Sequence, residues 1–383
     1  MNEQQSVARL RSWLAKPMPS DVSQSIERLR HADDVRHVAI MPDVHLANEV
    51  CVGVAMATLR LIYPAAVGSD IGCGMAAIGF EADTELLADE RTAAQVLSGM
   101  YRQIPSIKHS RENAPVKLPS CIQESSLSDS RLEKLKQRDG RFQLGTLGRG
   151  NHFAELQADD QDRLWLMVHS GSRGMGQAIT EHHLKKAMEK GQRGKLVSFD
   201  AESEDGRAYL ADAAWAEAYA AENRLAMIAA VEQLLVELLD ISVNRGSLIH
   251  SNHNHVRKET HDGESLWVHR KGALSAAYGE AGVIPGSMGT TSFHVVGRGL
   301  AESLCSSSHG AGRELSRGEA ARSINVRRFE REMRGVWFDH RHIVMLRDEA
   351  PSAYKDIHAV MRAQRELTRI ERQLRPLLSY KGA

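Results

Sequence analysis

Residues 37–80 read HVAIMPDVHLANEVCVGVAMATLRLIYPAAVGSDIGCGMAAIGF, and this stretch decides the fold class. Short apolar runs alternate in it with glycine. Val38-Ala39-Ile40-Met41 and Val52-Gly53-Val54-Ala55-Met56-Ala57 read as buried strands, being continuous in apolar character and bounded by breakers. Toward the N-terminus, apolar positions at Val7, Leu10, Leu14, Ile26 and Leu29 predict helix over residues 1–35. On the other side, residues 84–102 return to helix, and the polar segment Lys108 to Asp139 reads as a surface excursion. Leu164-Trp165-Leu166-Met167-Val168 predicts a further strand, then a glycine turn and a helix from about Gln177. Residues 207–241 form the longest helical stretch, with Leu210, Ala214, Ala218, Ala221, Leu225, Ile228, Val231 and Leu235 on one face. Short strands and glycine turns fill Leu248 to Gly299, and a last helical segment is expected over 351–378. Strand and helix blocks interleave without a βαβ rhythm. That favours an α+β fold with mixed β-sheets and flanking helices over a Rossmann or barrel fold, in a single domain spanning 1–383.

The chain has 49 Lys+Arg against 49 Asp+Glu, so no global charge announces a nucleic acid, and any such site must be a local basic patch. Four cysteines (Cys51, Cys73, Cys121 and Cys305) lack the CxxC spacing of a zinc ribbon and do not form a disulfide framework, which fits a reducing cytosol. Met1 to Ser20 has no uninterrupted apolar core, so a secretory signal is not expected, and no run reaches the ~20 apolar residues of a membrane helix. A cytoplasmic location is the expectation.

Histidines, cysteines and aspartates recur in glycine-rich segments without helical periodicity. Ser307-Ser308-His309-Gly310-Ala311-Gly312-Arg313 sets one histidine among small residues, with an arginine four positions on. A phosphate can approach such a histidine closely, and the glycines let backbone N–H groups turn toward it; in isolation the same stretch also reads as a polar loop. In Val67-Gly68-Ser69-Asp70-Ile71-Gly72-Cys73-Gly74 a carboxylate and a thiol lie three apart on a tight loop, a pair that suits a borderline divalent metal, with a small buried core residue as the plain alternative for Cys73. Gly148-Arg149-Gly150-Asn151-His152-Phe153-Ala154-Glu155 puts His152 after glycines, with Glu155 three on. In Val168-His169-Ser170-Gly171-Ser172-Arg173-Gly174 a histidine ends an apolar strand and glycines lead into a helix, a usual way to display a side chain at a rim and to make an anion nest. His250-Ser251-Asn252-His253-Asn254-His255 is expected as one extended strand with its histidines sharing a face, either a ligand face or a solvated edge. Pro285-Gly286-Ser287-Met288-Gly289-Thr290-Thr291-Ser292 offers hydroxyls and backbone donors with little bulk, as a nucleotide site or a hydroxyl-rich turn would.

Together these segments resemble the RtcB family of GTP-dependent RNA ligases. The matching stretches run from about Met41 to Lys381 in family order: MPDVH (41–45), VGSDIGCG (67–74), GRGNHFAEL (148–156), VHSGSRGMG (168–176), NHNHV (252–256), HRKGA (269–273), IPGSMGTTSF (284–293), SSSHGAGR (306–313), AYKDI (353–357) and Lys381-Gly382. The resemblance implies the family's own α+β architecture and a nucleophilic histidine at His309. It implies two manganese ions held by Asp70, Cys73, His152, His169 and His253, the cysteine bridging both, with GTP as cosubstrate. Guanylate contacts fall on Asn151, Phe153, Glu155, Ser287, Ser292, Tyr354 and Lys381. One departure stands out. Where the family reads HxGxG after MPDV, this chain has His45-Leu46-Ala47-Asn48-Glu49, without either glycine, and it is short for the family. Both features suggest a divergent branch with a different RNA substrate.

The reaction so implied joins an RNA 3′-phosphate or 2′,3′-cyclic phosphate end to a 5′-hydroxyl end, in RNA repair or tRNA processing, through a guanylyl-histidine. A basic stripe of Arg362, Arg365, Arg369 and Arg372 on the expected C-terminal helix is a candidate RNA contact, or a solvated face partly neutralised by Glu366 and Glu371. Two other readings compete. A metal-dependent phosphoesterase acting on RNA ends would use the same ligands but need neither His309 nor a guanine site. A non-catalytic RNA-binding relative would have lost ligands, and none is lost.

Overall fold

A computed structural model describes residues 7–194 and 196–382. Its strands in chain order are β1 (Arg9–Ser12), β2 (Val35–His45), β3 (Val52–Thr58), β4 (Leu61–Ile62), β5 (Gly74–Asp83), β6 (Phe153–Asp159), β7 (Arg163–Ser170), β8 (Phe199–Asp200), β9 (Val243–Asn252), β10 (Asn254–His261), β11 (Glu264–Lys271), β12 (Ala273–Ser275), β13 (Ala281–Ile284), β14 (Ser292–Gly297), β15 (Ser306–Ser308) and β16 (Thr368–Lys381). A seven-stranded sheet has the order β13-β14-β16-β6-β7-β5-β9, and a five-stranded sheet the order β1-β2-β3-β11-β10. The mixed-sheet α+β expectation holds: β1 and β2 pair in parallel, and the other pairs within these two sheets are antiparallel.

Alternation along the strands of the larger sheet separates a packed face from an open one. Ile78, Ala154, Leu156, Leu166, Val168, Leu378 and Tyr380 face the helices Glu90–Gln103 and Glu204–Leu239, where Val96, Met100, Val231, Leu234 and Leu235 complete one core. Truncating a leucine in such a layer costs about 2–5 kcal/mol. Their strand neighbours point the other way. In register across the sheet, Lys381 pairs Phe153, Phe153 pairs His169 and His169 pairs Met75; one step along, Ser379, Glu155 and Met167 form a parallel row. The open face is where the reactive side chains stand.

Several expectations need correction. The predicted helix over 1–35 is a strand, Arg9–Ser12, followed by a helix only at Ser20–Arg30; residues 1–6 lie outside the described residues. Pro17 and Pro19 interrupt the pattern, because proline lacks an N–H and pushes the residue before it out of helical geometry. The predicted C-terminal helix over 351–378 is a short helix, Ile357–Ala363, and then the 14-residue strand β16. Pro376 forbids a helix interior and sits at a register shift of the β16–β6 pairing. The arginine stripe therefore does not exist. Arg362 is on the helix, Arg365 in the turn and Arg369 on the strand beside Glu371, while Arg372 lies over the Trp165 ring and pairs with Asp159 at 3.2 Å. On the long helix the expected face is buried at Ile228, Val231 and Leu235, but Ala214, Ala218 and Leu225 are exposed, and Ala216, Tyr219, Ala220, Asn223, Arg224 and Met227 are buried instead. Within 108–139, Leu118, Ile122, Leu127 and Leu132 pack with Trp215 and Tyr219 of that helix.

Candidate active site

His309 follows directly on β15 and meets β2. Its backbone N–H donates to Asp43 Oδ2 at 3.2 Å, and its Nδ1 lies 2.7 Å from the same oxygen. The same oxygen accepts the backbone N–H, so Nδ1 is assigned as its second donor and the Nε2 lone pair is left free. Gly312 makes this contact possible: with φ at 74°, a Cβ there would lie 2.2 Å from the Asp43 carbonyl oxygen. The His253 ring lies 4.7 Å from the His309 ring, centre to centre, tilted by 56°.

Next to it converge the donors expected to hold metal. Cys73, His169 and His253 form one group, and Asp70, Cys73 and His152 another, each with its ligand atoms within 4.8 Å of one another and Cys73 common to both. Cys73 Sγ is 3.2 Å from His169 Nε2 and 3.5 Å from His152 Nε2; His169 Nε2 is 3.3 Å from His253 Nε2, and His152 Nε2 is 3.0 Å from Asp70 Oδ2. His169 Nδ1 donates to the Asn151 carbonyl at 3.1 Å, which leaves its Nε2 lone pair aimed into the cluster. Burial, then the neighbouring imidazoles, hold His169 well below the usual histidine range, and burial followed by His309 does the same for His253. Neutral imidazoles with converging lone pairs are ligands in waiting. Burial and then the Asp70 carboxylate push the Cys73 thiol well up, a charge arrangement that a dication between them reverses. A soft thiolate, three imidazoles and one carboxylate suit a transition metal and not calcium or magnesium, and the two groups share one sulfur. A Cβ on Gly171 would lie 2.2 Å from Asp70 Oδ1, so this neighbour must be glycine for the loops to close.

A 280 Å³ cavity opens beside the cluster, close to the low end of the about 300–1,000 Å³ usual for small-ligand pockets. Asn151, Phe153, Glu155, Ser287, Ser292, His309, Tyr354 and Lys381, far apart in sequence, all line it, as does His169. A larger open groove of 950 Å³, lined by Trp337, Arg334 and Arg375 among others, shares no residue with it. Two of the lining residues are held by the fully buried Gln157, whose Nε2 donates to Glu155 Oε1 at 2.7 Å and to Ser292 Oγ at 3.1 Å. Burial raises Glu155 to about 8. Lys381 pairs closely with Glu349. Tyr354 Oη donates to Glu349 at 2.7 Å, and Arg313 and Arg317 reach it at 3.2 and 2.7 Å. Burial opposes ionisation of Glu349, but Lys381 and Arg317 outweigh it and hold the carboxyl below its usual range.

The structure thus brings every expected site residue together, but divides the 250–255 segment. The strand breaks at His253, and the three histidines do not share a face. His250 Nε2 accepts from Arg224, His255 Nε2 lies 3.2 Å from Arg270, and only His253 enters the cluster. Sequence reasoning missed Asp43, Glu349, Arg313 and Arg317 as site residues. Asp43 carried a signal, a carboxylate inside an apolar strand run, where burial demands a partner; Glu349 carried none.

Comparison with known proteins agrees with this geometry. The family model described as tRNA-splicing ligase RtcB matches residues 25–382. The chain is 39% identical over 374 residues to the RNA-splicing ligase RtcB of Escherichia coli K12, covering 91% of this chain and 90% of that one. It is 29% identical over 380 residues to an RNA-splicing ligase RtcB2 of another Escherichia coli strain, covering 94% and 92%. It is 30% identical over 422 residues to the tRNA-splicing ligase RtcB of Archaeoglobus fulgidus, covering 90% and 87%.

Proposed function

We propose that this chain, which belongs to the RtcB family, is an RNA ligase that uses GTP and manganese to join 3′-phosphate or 2′,3′-cyclic phosphate ends to 5′-hydroxyl ends. The observation that carries this reading is the single cavity: His309 stands at one wall of it, beside two donor groups that share Cys73, and the residues expected to contact guanylate form the rest. A phosphoesterase needs no such cavity. Among the described residues no helix is long and apolar enough to cross a membrane.

Asp70, Cys73 and His152 would hold one manganese ion and Cys73, His169 and His253 the other. Bound there, the ions would neutralise the triphosphate and stabilise charge at the transferring phosphorus. Asp43 fixes the His309 tautomer, so Nε2 attacks the α-phosphorus of GTP; an N–P bond forms, the P–O bond to pyrophosphate breaks, and pyrophosphate leaves. Asp43 also offsets the positive charge that the ring gains. Glu155 and Ser292 face the base, while Lys381 and Tyr354, already ion-paired or hydrogen-bonded through Glu349, position the nucleoside. GMP then passes to the RNA 3′-phosphate, and attack of the 5′-hydroxyl on the activated phosphate expels GMP. A cyclic end is first hydrolysed to the 3′-phosphate. Arg313 and Arg317, at the cavity rim, are placed to receive phosphates.

The test combines α-labelled GTP with a ligation assay on RNA of defined ends, with and without manganese. The wild-type chain should become labelled and ligate, and His309→Ala should do neither while still binding GTP. Label retained on His309→Ala moves the nucleophile elsewhere; a wild-type chain that processes RNA ends but never takes label is a phosphoesterase.

A further inference from the structure

Arg224 lies in the helix Glu204–Leu239, wholly buried, and offers no ligand atom to either donor group. Its Nη1 donates to the Gly72 carbonyl at 2.8 Å and to the Ser170 carbonyl at 2.7 Å; its Nη2 donates to Asn252 Oδ1 at 2.6 Å, and its Nε to His250 Nε2 at 3.0 Å. Three of those residues adjoin a donor: Gly72 precedes Cys73, Ser170 follows His169 and Asn252 precedes His253. One planar group thereby ties together the turn before β5, the end of β7 and the junction of β9 with β10. These are the three places that supply the Cys73–His169–His253 group. The donors peculiar to the other group, Asp70 and His152, adjoin none of its partners. Asp70 is instead held by Ser172 N–H at 3.1 Å and, through its carbonyl, by Asn254 Nδ2 at 3.1 Å.

A buried guanidinium is costly, and none of the four partners of Arg224 carries a negative charge. Packing alone is served more cheaply by an apolar side chain. What an arginine adds is a rigid fork of five donors in a plane, which can fix several acceptors relative to one another; a lysine has three donors on a flexible stem and cannot reproduce the pattern. Asn223, the preceding residue, braces the next loop: its Oδ1 accepts from Gly145 and Thr146 N–H at 2.8 and 3.2 Å, and its Nδ2 donates to Ser170 Oγ at 2.9 Å.

We propose that Arg224 is a positioning residue that sets the Cys73–His169–His253 group in ion-binding geometry before any ion arrives, and that its loss weakens that site far more than the other, which shares only Cys73 with it. The inference rests on the two-ion reading above.

The experiment is a manganese titration of ion-free wild type and Arg224→Lys by calorimetry, with the thermal midpoint of the ion-free proteins measured beside it. Wild type should bind two ions. Arg224→Lys should bind one with affinity within about threefold of wild type and the other about 10- to 100-fold more weakly, as outer partners of metal ligands usually do when altered. Equal weakening of both sites, tracking a lower midpoint, would show a merely structural role and overturn the inference, as would two unchanged affinities. Should Arg224→Lys not fold, His250→Ala carries the test by removing one partner of Arg224 only: the same selective weakening, smaller in size, supports the inference and two unchanged sites refute it. A wild-type chain that binds fewer than two ions defeats the two-ion reading itself, whatever the variants do.

Discussion

Glu155 allows the guanine reading to be tested by counting protons. Its side chain is 2% exposed, and burial lifts its pKa from 4.5 to about 8, against the pull of hydrogen bonds from Gln157 and Ser379 and the charge of Lys381. At pH 7 about one carboxyl in eleven is therefore ionised. A guanine edge presents N–H donors, and only the carboxylate accepts from two of them at once. Binding must then draw on the ionised minority. At pH 7 it should release about 0.9 proton and cost about 1.4 kcal/mol of affinity relative to a pre-ionised site. Affinity should rise about tenfold from pH 6 to 7 and only about twofold beyond pH 8. The assay is calorimetry of guanosine, which has no phosphate to titrate, on ion-free protein in two buffers of different ionisation enthalpy. Glu155→Gln should show neither proton release nor pH dependence. The folding linkage has a definite sign: the folded chain holds this proton more tightly than the unfolded one, so the contribution is present below about pH 4.5 and lost as pH rises through about 8. Glu155→Gln should flatten that decline. Guanosine binding without proton release near pH 7, or the same pH dependence in Glu155→Gln, would refute the reasoning.

Gly312→Ala should lower the thermal midpoint, costing about 1–3 kcal/mol for the positive φ alone, and should also reduce guanylylation because its Cβ would displace the strand that holds Asp43. Cys73→Ser should weaken both manganese sites, since a hydroxyl stays protonated where a thiolate would bridge two cations; unchanged occupancy by titration would make Cys73 a core residue only. Arg372→Gln should cost about 2 kcal/mol in denaturant unfolding through its lost pair with buried Asp159, whereas Arg369→Gln should cost under about 0.5 kcal/mol. Neither should change the salt dependence of RNA binding, because the stripe to which both were assigned is not formed; a flatter slope in either variant would contradict that.

Most of the donors were legible in the sequence because they lie in or beside glycine-rich segments without helical periodicity, where a histidine, cysteine or aspartate has few other reasons to be; His253, in a run without glycine, was reached through the family resemblance. Their neighbours across the sheet were not. Nothing local says that Lys381, Phe153 and His169 lie in one row, since register is a property of pairs of strands. The end of the chain misled for a definite reason. Ile370, Leu374 and Leu377 recur at helical spacing by coincidence, and Pro376 is the contrary sign that the helix reading left out. On the long helix, hydropathy found the buried Ile228, Val231 and Leu235 but missed the polar part of the buried face, Asp212, Asn223 and Arg224, whose burial is compensated by hydrogen bonds that no pattern of apolar residues reveals. Asp43 and Glu349 are of the same kind: their partners lie 266 positions away at His309 and 32 away at Lys381.

The place of β16 has a consequence for how the molecule is made. This strand enters the sheet between β14 and β6, although every other strand of the sheet precedes it in the chain. Until residues 368–381 are available, the sheet is two fragments, β13-β14 and β6-β7-β5-β9, each ending in an unpaired edge. Such edges are templates for the wrong partner, and contacts of this sequence separation close slowly because loop entropy is spent before they form. The same insertion brings Lys381 to the cavity. Closing the sheet and closing the cavity therefore depend on the same strand: until β16 is in place the cavity lacks the wall that Lys381 gives it, and the two open edges are exposed to aggregation.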